Sequence, residues 1–226
     1  MFSGFQTMAP TDAELATQAL SDEGSYRFQS FSASDAVTLG LSLRKRFRGT
    51  SRHAKGKGLV ISIQSIAGHT LFACTVGDLG HGSGIGDVSM DSWTCIEGMV
   101  SVVKRTGHSS FYVEKGMSAM GKTPKQMGIQ GEFRVNGGAF PIWLENAPCC
   151  PIAVVACYSG SSQEDHNLVV TTVRDYLNKL ARSSNPPPPP TMPIPVGGRG
   201  GLKEWLSEGV GASEFNGESP YEHHHA

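Results

Sequence analysis

Apolar residues along this chain recur in two rhythms, one helical and one extended. Residues 12–20 form a short amphipathic segment. Ser34 then opens a stretch to Arg48 that places Val37 and Leu41 on one stripe and Leu39, Leu43 and Phe47 on another. Gly49 ends that helix, and its basic last turn suits the negative end of the helix dipole. Trp93, Ile96, Val100 and Val103 recur at i, i+3, i+7 and i+10, which predicts a helix over 89–106 stopped by Gly107. Residues 109–120 read as a further helix. Val169, Val173, Tyr176, Leu177 and Leu180 line the buried face of a last one, with Ser162 and Asp165 as its capping pair.

Extended runs lie between these helices. Residues 26–31, 59–63 and 71–76 read as strands, the latter two around a turn at Ala67-Gly68-His69, and the wholly apolar run 152–157 reads as a central strand. The Asn136-Gly137 pair between Phe133-Arg134-Val135 and Ala139-Phe140 predicts a hairpin. Pro141 has no amide hydrogen to donate, so its strand belongs at an edge or a bulge. Strands linked mostly by hairpins, with helices before, between and after them, predict an α+β domain with helices packed on a largely antiparallel five-stranded sheet.

Composition sets a boundary. Eight of the thirteen prolines fall in 184–226 together with Gly197-Gly198-Arg199-Gly200-Gly201, which divides the chain into an N-terminal extension over 1–24, a folded domain over 25–183 and a tail. The tail is expected to be disordered, with a stiff proline rod and a glycine joint. Within it Leu202, Trp205, Leu206 and Val210 share one face of a short helix. That face either folds back on its own domain or serves as a peptide ligand for a partner's groove.

Charge narrows the partners. The tail holds two basic and five acidic residues, which leaves 17 basic against 15 acidic elsewhere, so bulk charge predicts no affinity for nucleic acid or membrane. No apolar run approaches the roughly 20 residues that span a bilayer, and the first residues lack a signal-peptide pattern; a cytoplasmic protein, not an integral membrane one, is expected. Five cysteines without a Cys-x-x-Cys pair argue against a disulfide framework and a zinc module. Cys149 and Cys150 are adjacent between Pro148 and Pro151, and reduced thiols are expected there.

Several stretches are candidates for chemistry. His108 follows the helix-ending Gly107, and His166 stands beside Glu164 and Asp165 in the first turn of the last helix. Imidazole and carboxylate are ligand types for iron or zinc, and a neutral imidazole can hold haem iron. The competing reading is that the acids favour the positive helix end while both histidines make ordinary hydrogen bonds. The 159–162 loop could receive an anion at the helix N-terminus, but Glu164 and Asp165 would repel it, so self-capping is expected. The glycine-dense loop over 80–86 fits neither dinucleotide nor Walker spacing and reads as a mobile loop. The basic stretch over 44–57 reads as a solvated helix end and loop. No nucleophile-elbow motif is present, and these residues assign no reaction.

Trp93, the run Gly107-His108-Ser109-Ser110-Phe111-Tyr112, the run from Gly137 to Ile142 and the run from Ser159 to Val170 resemble the haem-degrading-like, glycolate-operon-type family over about residues 25–182. The resemblance implies a profilin-like fold, a five-stranded antiparallel sheet between helices, and homodimers that assemble further. It also implies haem or another tetrapyrrole as ligand in some members, some of them haem-degrading, and delivery of tail-anchored proteins to the endoplasmic reticulum in eukaryotic ones. On matching positions it makes His108, Ser109, Tyr112, Gly137, Gly138, Phe140, Ser159, Gly160 and Gln163 candidate ligand contacts, with Glu164, Asp165 and His166 as candidate iron or other metal ligands. Leu202, Trp205 and Leu206 lie beyond it as candidate contacts for chaperone or targeting factors. Asn136 stands where relatives often carry His, and Thr94-Cys95-Ile96-Glu97 where they carry a basic cluster. The expected function is an oligomeric accessory or binding module, with a haem-binding or haem-degrading protein as the alternative.

Overall fold

A computed structural model describes residues 9–79, 88–129 and 134–184. The elements follow in the order α1 (Asp12–Ser25), β1 (Arg27–Phe28), α2 (Ala33–Arg48), α3 (Ser51–Ala54), β2 (Leu59–Ser65), β3 (Thr70–Val76), α4 (Met90–Thr106), α5 (Ser110–Ala119), β4 (Ala139–Leu144), β5 (Ala153–Tyr158) and α6 (Ser162–Ser184). One five-stranded sheet has the order β1-β4-β5-β2-β3. All its pairings are antiparallel except that of β1 with β4.

The apolar run at β5 takes the centre of the sheet because both of its faces are covered. On one face α2 and α6 bring Leu39, Leu43, Phe47, Val169 and Val173 against Ile61, Ile63, Phe140 and Val155. On the other, α4 sets Ile96, Met99, Val100 and Val103 over Val60, Ala139, Val154 and Ala156. Of the two stripes on α2, only Leu39, Leu43 and Phe47 are buried; Val37 is 42 % and Leu41 51 % exposed. In α6, Val169, Val173 and Tyr176 are buried, but Leu180 is exposed at the outer end.

Several sequence expectations are corrected. The Asn136-Gly137 hairpin does not form: Arg134 and Val135 lie outside the sheet, and Phe133 is outside the described residues. The fifth strand is β1, which pairs with Trp143 and Leu144 of β4. The glycines serve close approach instead, since a Cβ at Gly138, where φ is 135°, would meet the Cys157 carbonyl oxygen at 2.2 Å, and one at Gly137 the Ser162 carbonyl oxygen at 2.5 Å. Pro141 stands on β4 before the point that β1 reaches, so its missing amide hydrogen leaves β1 no bond to lose. The α2 cap is Ser32, which exchanges hydrogen bonds with Asp35 in a capping box, and Ser34 lies inside the first turn. α1 runs to Ser25, past Leu20, behind a Thr11–Glu14 capping box. The glycine loop over 80–86 and the tail residues Leu202, Trp205 and Leu206 lie outside the described residues. No described helix is long and apolar enough to cross a membrane.

Candidate functional site

The corner between α4 and α5 concentrates the unused chemistry. α4 stops at Gly107, whose left-handed φ of 75° lets its N–H return to the Val103 carbonyl at 2.8 Å. Two residues later Ser109 caps α5, its hydroxyl accepting the Tyr112 N–H at 3.2 Å. His108 is therefore held between two helix ends and cannot follow either helix inward.

Glu23 of α1 fixes the imidazole. This buried carboxylate accepts the Ser109 N–H at 2.7 Å with one oxygen and the His108 Nδ1–H at 2.8 Å with the other. A carboxylate accepting on both oxygens sets the tautomer and leaves the lone pair on Nε2; no described residue bonds Nε2. The ring, 42 % exposed, lies 4.9 Å from that of Tyr112. Both line a cavity of about 250 Å³ whose wall includes Val113, Met117, Met120, Met127 and Ile129. Glu23 escaped the sequence reading, although Ala16, Ala19 and Glu23 recur at i, i+3 and i+7 on the buried face of α1.

The start of α6 forms a second, structural knot. Asp165, fully buried, accepts Arg52 Nη1–H at 2.7 Å and the Ser159 N–H at 2.7 Å, with the Ser161 N–H at 3.4 Å. Its partners are therefore Ser159 and Ser161, not the expected Ser162. Burial pushes its carboxyl above the ordinary range, opposed by the bonds from Ser159 and Arg52. Arg52, which the sequence reading left on a solvated basic stretch, points inward, reaches Glu164 at 3.3 Å with Nε and sits over the Phe47 ring.

The remaining candidates do not converge with His108. His166 is buried against Phe111, ring centroids 4.3 Å apart, and its Nδ1 has no hydrogen-bond partner; desolvation lowers its pKa to about 4, so the ring is neutral. Gly137 donates its N–H to Glu114 at 2.7 Å. Desolvation raises the Glu114 carboxyl, opposed by Ser162 and by the Gly137 N–H. Phe140 is in the core, and Gln163 donates to Asn167 at 3.3 Å. Gly160, at φ 90°, has open space where a Cβ would stand. Glu164, Asp165 and His166 thus turn to separate partners, and among the described residues no three His, Cys, Asp or Glu side chains gather as a metal site would need.

A five-stranded α+β domain with one free, carboxylate-oriented imidazole beside a methionine-rich cavity is the class that the fold and this corner define. The chain belongs to the family described as haem degrading protein HbpS-like, whose model matches residues 31–174. It is 27 % identical over 168 residues, 73 % of this chain and 94 % of the relative, to a UPF0303 protein of Psychromonas ingrahamii. The fold is shared with the crystal structure of Ybr137w protein at a TM-score of 0.62 and 23 % identity, over 74 % of this chain and 89 % of that one. A structure described as a PduOC:heme complex aligns at a TM-score of 0.48 and 14 % identity, over 64 % of this chain and 94 % of the other.

Proposed function

We propose that this chain is a tetrapyrrole-binding protein that meets haem at the α4–α5 corner, with His108 Nε2 toward the iron. One observation carries the reading: Glu23 occupies Nδ1 and leaves Nε2 with its lone pair beside an apolar cavity. A carboxylate on the far nitrogen is the usual support of a metal-bound imidazole, fixing its orientation and raising its basicity. Family membership points the same way.

The donor set fits haem. His108 offers nitrogen, Met117, Met120 and Met127 offer apolar surface and thioether sulfur, and Tyr112 offers a ring face. The cavity of about 250 Å³ lies below the roughly 300–1,000 Å³ of sites that enclose a ligand, so it would receive only part of such a ligand. Bound haem would supply redox and oxygen chemistry. The protein's own share is to orient the imidazole through Glu23, lock Glu23 through the Ser109 N–H, and keep one side of the site dry.

Haemin titration of the purified chain tests this. A saturable, shifted Soret band that weakens at least tenfold in His108→Ala and measurably in Glu23→Gln is expected. An unchanged titration in His108→Ala overturns the assignment. Loss of the band on adding reductant would separate degradation from binding.

A second reading makes the chain an oligomeric accessory module that meets chaperone or targeting factors through Leu202, Trp205 and Leu206, with delivery of tail-anchored proteins as its finest form. The composition shift after Ser183 supports it. Family membership supports the tetrapyrrole reading better.

A further inference from the structure

The corner that carries His108 holds the parts of a general base as well as those of a metal ligand. Glu23 is buried, accepts the Nδ1–H at 2.8 Å and is itself held by the Ser109 N–H at 2.7 Å. A carboxylate behind Nδ1 fixes the tautomer, and it stabilises the imidazolium that forms when Nε2 takes a proton. His108 lines the cavity of about 250 Å³, and no described residue bonds its Nε2.

The neighbouring hydroxyls are engaged elsewhere. Thr106 Oγ1 donates to the Val102 carbonyl at 2.8 Å and accepts the His108 N–H at 3.2 Å, while Ser109 Oγ accepts the Tyr112 N–H at 3.2 Å. Neither stands as a nucleophile for His108 to activate, which leaves water as the group whose proton Nε2 can take. The cavity wall selects the substrate. Val113, Met117 and Ile129 make it apolar, and Met117 and Ile129 are buried. Its volume lies below the roughly 300–1,000 Å³ of sites that enclose a drug-sized ligand, so it suits a short apolar acyl chain. Gly116 of α5 leaves room in that wall: it lines the cavity, and a Cβ there would meet nothing within 4 Å.

We infer that the Glu23–His108 pair is a general base for the hydrolysis of esters with short apolar acyl groups, with the acyl chain in the cavity and water as the nucleophile. The step balances without a cofactor. Nε2 takes one proton from water as the water oxygen bonds to the acyl carbon, and the tetrahedral intermediate then expels the alcohol oxygen, which leaves with the proton held on Nε2. One carboxylic acid and one alcohol result, and the imidazole is neutral again. His108 is the catalytic residue, and Glu23 is a positioning residue. The inference shares the Glu23–Nδ1 bond with the haem reading but needs no haem.

The test uses the full-length chain and p-nitrophenyl butyrate, with p-nitrophenol release followed over many turnovers. His108→Ala should lower kcat about a hundredfold, the smaller end of what a positioned base contributes, and added imidazole should restore part of the loss. Glu23→Gln should lower kcat about tenfold with KM unchanged, because the amide keeps the Ser109 bond and no longer supports the imidazolium. Gly116→Leu should raise KM for the butyrate more than for p-nitrophenyl acetate, because it fills the space the longer chain needs. Melting curves confirm that each variant is folded. Turnover that is unchanged in His108→Ala overturns the inference, as does wild-type turnover no faster than buffer, or a loss in folded His108→Ala that imidazole leaves unrepaired. Haemin separates the two readings of the corner. Turnover by a chain that binds no haemin sinks the haem site alone, and haemin binding that weakens in His108→Ala without any wild-type turnover sinks this inference alone.

Discussion

Acid should loosen this fold through one residue. His166 is buried with a folded-state pKa of about 4 against an ordinary value of 6.5, because desolvation penalises the charged ring and Nδ1 has no partner to offset it. The folded value is depressed, so the unfolded chain takes up the proton first as pH falls. The stabilisation is fully present above pH 6.5 and is lost progressively toward pH 4. The fall from 6.5 to about 4 corresponds to about 3 kcal/mol at full extent, most of which is gone by pH 4.5.

Other groups act in that range with opposite sign. Asp165 and Glu114 have carboxyls raised by desolvation; stability from a raised acid grows as pH falls through its folded value, so they partly offset His166 at the acid end. The depressed acids Asp12, Asp35 and Asp175 lose their contributions only below the ordinary carboxylate range. A difference measurement isolates the histidine. His166→Phe keeps a ring to stack on Phe111 and removes both the titration and the orphaned nitrogen. Urea unfolding at intervals from pH 7.5 to 4.5 should show wild-type stability falling about 2 to 3 kcal/mol further than that of the variant over this range. Parallel profiles for the two proteins would refute the reasoning, as would an NMR titration that places the His166 ring near 6.5.

Arg52→Ala should cost about 3–5 kcal/mol in chemical denaturation, because it strands the buried Asp165 without its cation; the double variant with Asp165→Asn should recover part of that loss. Gly138→Ala should lower the melting temperature by several degrees through a clash at 2.2 Å and an unfavourable φ, while Gly160→Ala, at open space, should cost only the backbone strain of its positive φ. A chain ending at Ser183 should keep its cooperative melt and its oligomer size, read by light scattering, and lose any partner recovered through Trp205 and Leu206. A large drop in melting temperature would show that the tail docks on its own domain.

The sheet was legible where burial alone dictates periodicity. The run at 152–157 is apolar on both faces, so a central strand is its only economical place, and the spacing from Trp93 to Val103 could lie on nothing but a helix. The misreading at Asn136-Gly137 has a physical source. Asn-Gly reports a backbone that needs small residues, and a tight hairpin is only one cause of that need. Here the cause is contact with the Cys157 and Ser162 carbonyls, which are remote in sequence. β1 keeps only two residues of the strand read over 26–31, too few for any alternation to mark its ends. Two apolar stripes on α2 offered equal claims to the core, and docking on the sheet beside α6 decides for Leu39, Leu43 and Phe47.

Functional residues divide along the same line between local and long-range causes. Ser109, whose cap is local, is found by reading its neighbours. His108 is visible in the sequence as a histidine after a helix stop, but its chemistry is not, because that depends on a carboxylate 85 residues away. The same glutamate with one oxygen on the Ser109 N–H could be a mere anchor for the α5 cap, and then His108 would be an accessory to packing. The two roles differ in what Glu23→Gln does. An anchor keeps most of its bond to the Ser109 N–H through the amide oxygen, and the melt barely moves. An orienting carboxylate gives up the Nδ1–H acceptor that supports a metal-facing Nε2, and haem affinity falls while the melt holds. If neither the melting temperature nor the haem affinity moves in Glu23→Gln, Glu23 is an anchor of the α5 cap alone; if only the affinity falls, Glu23 belongs to the site.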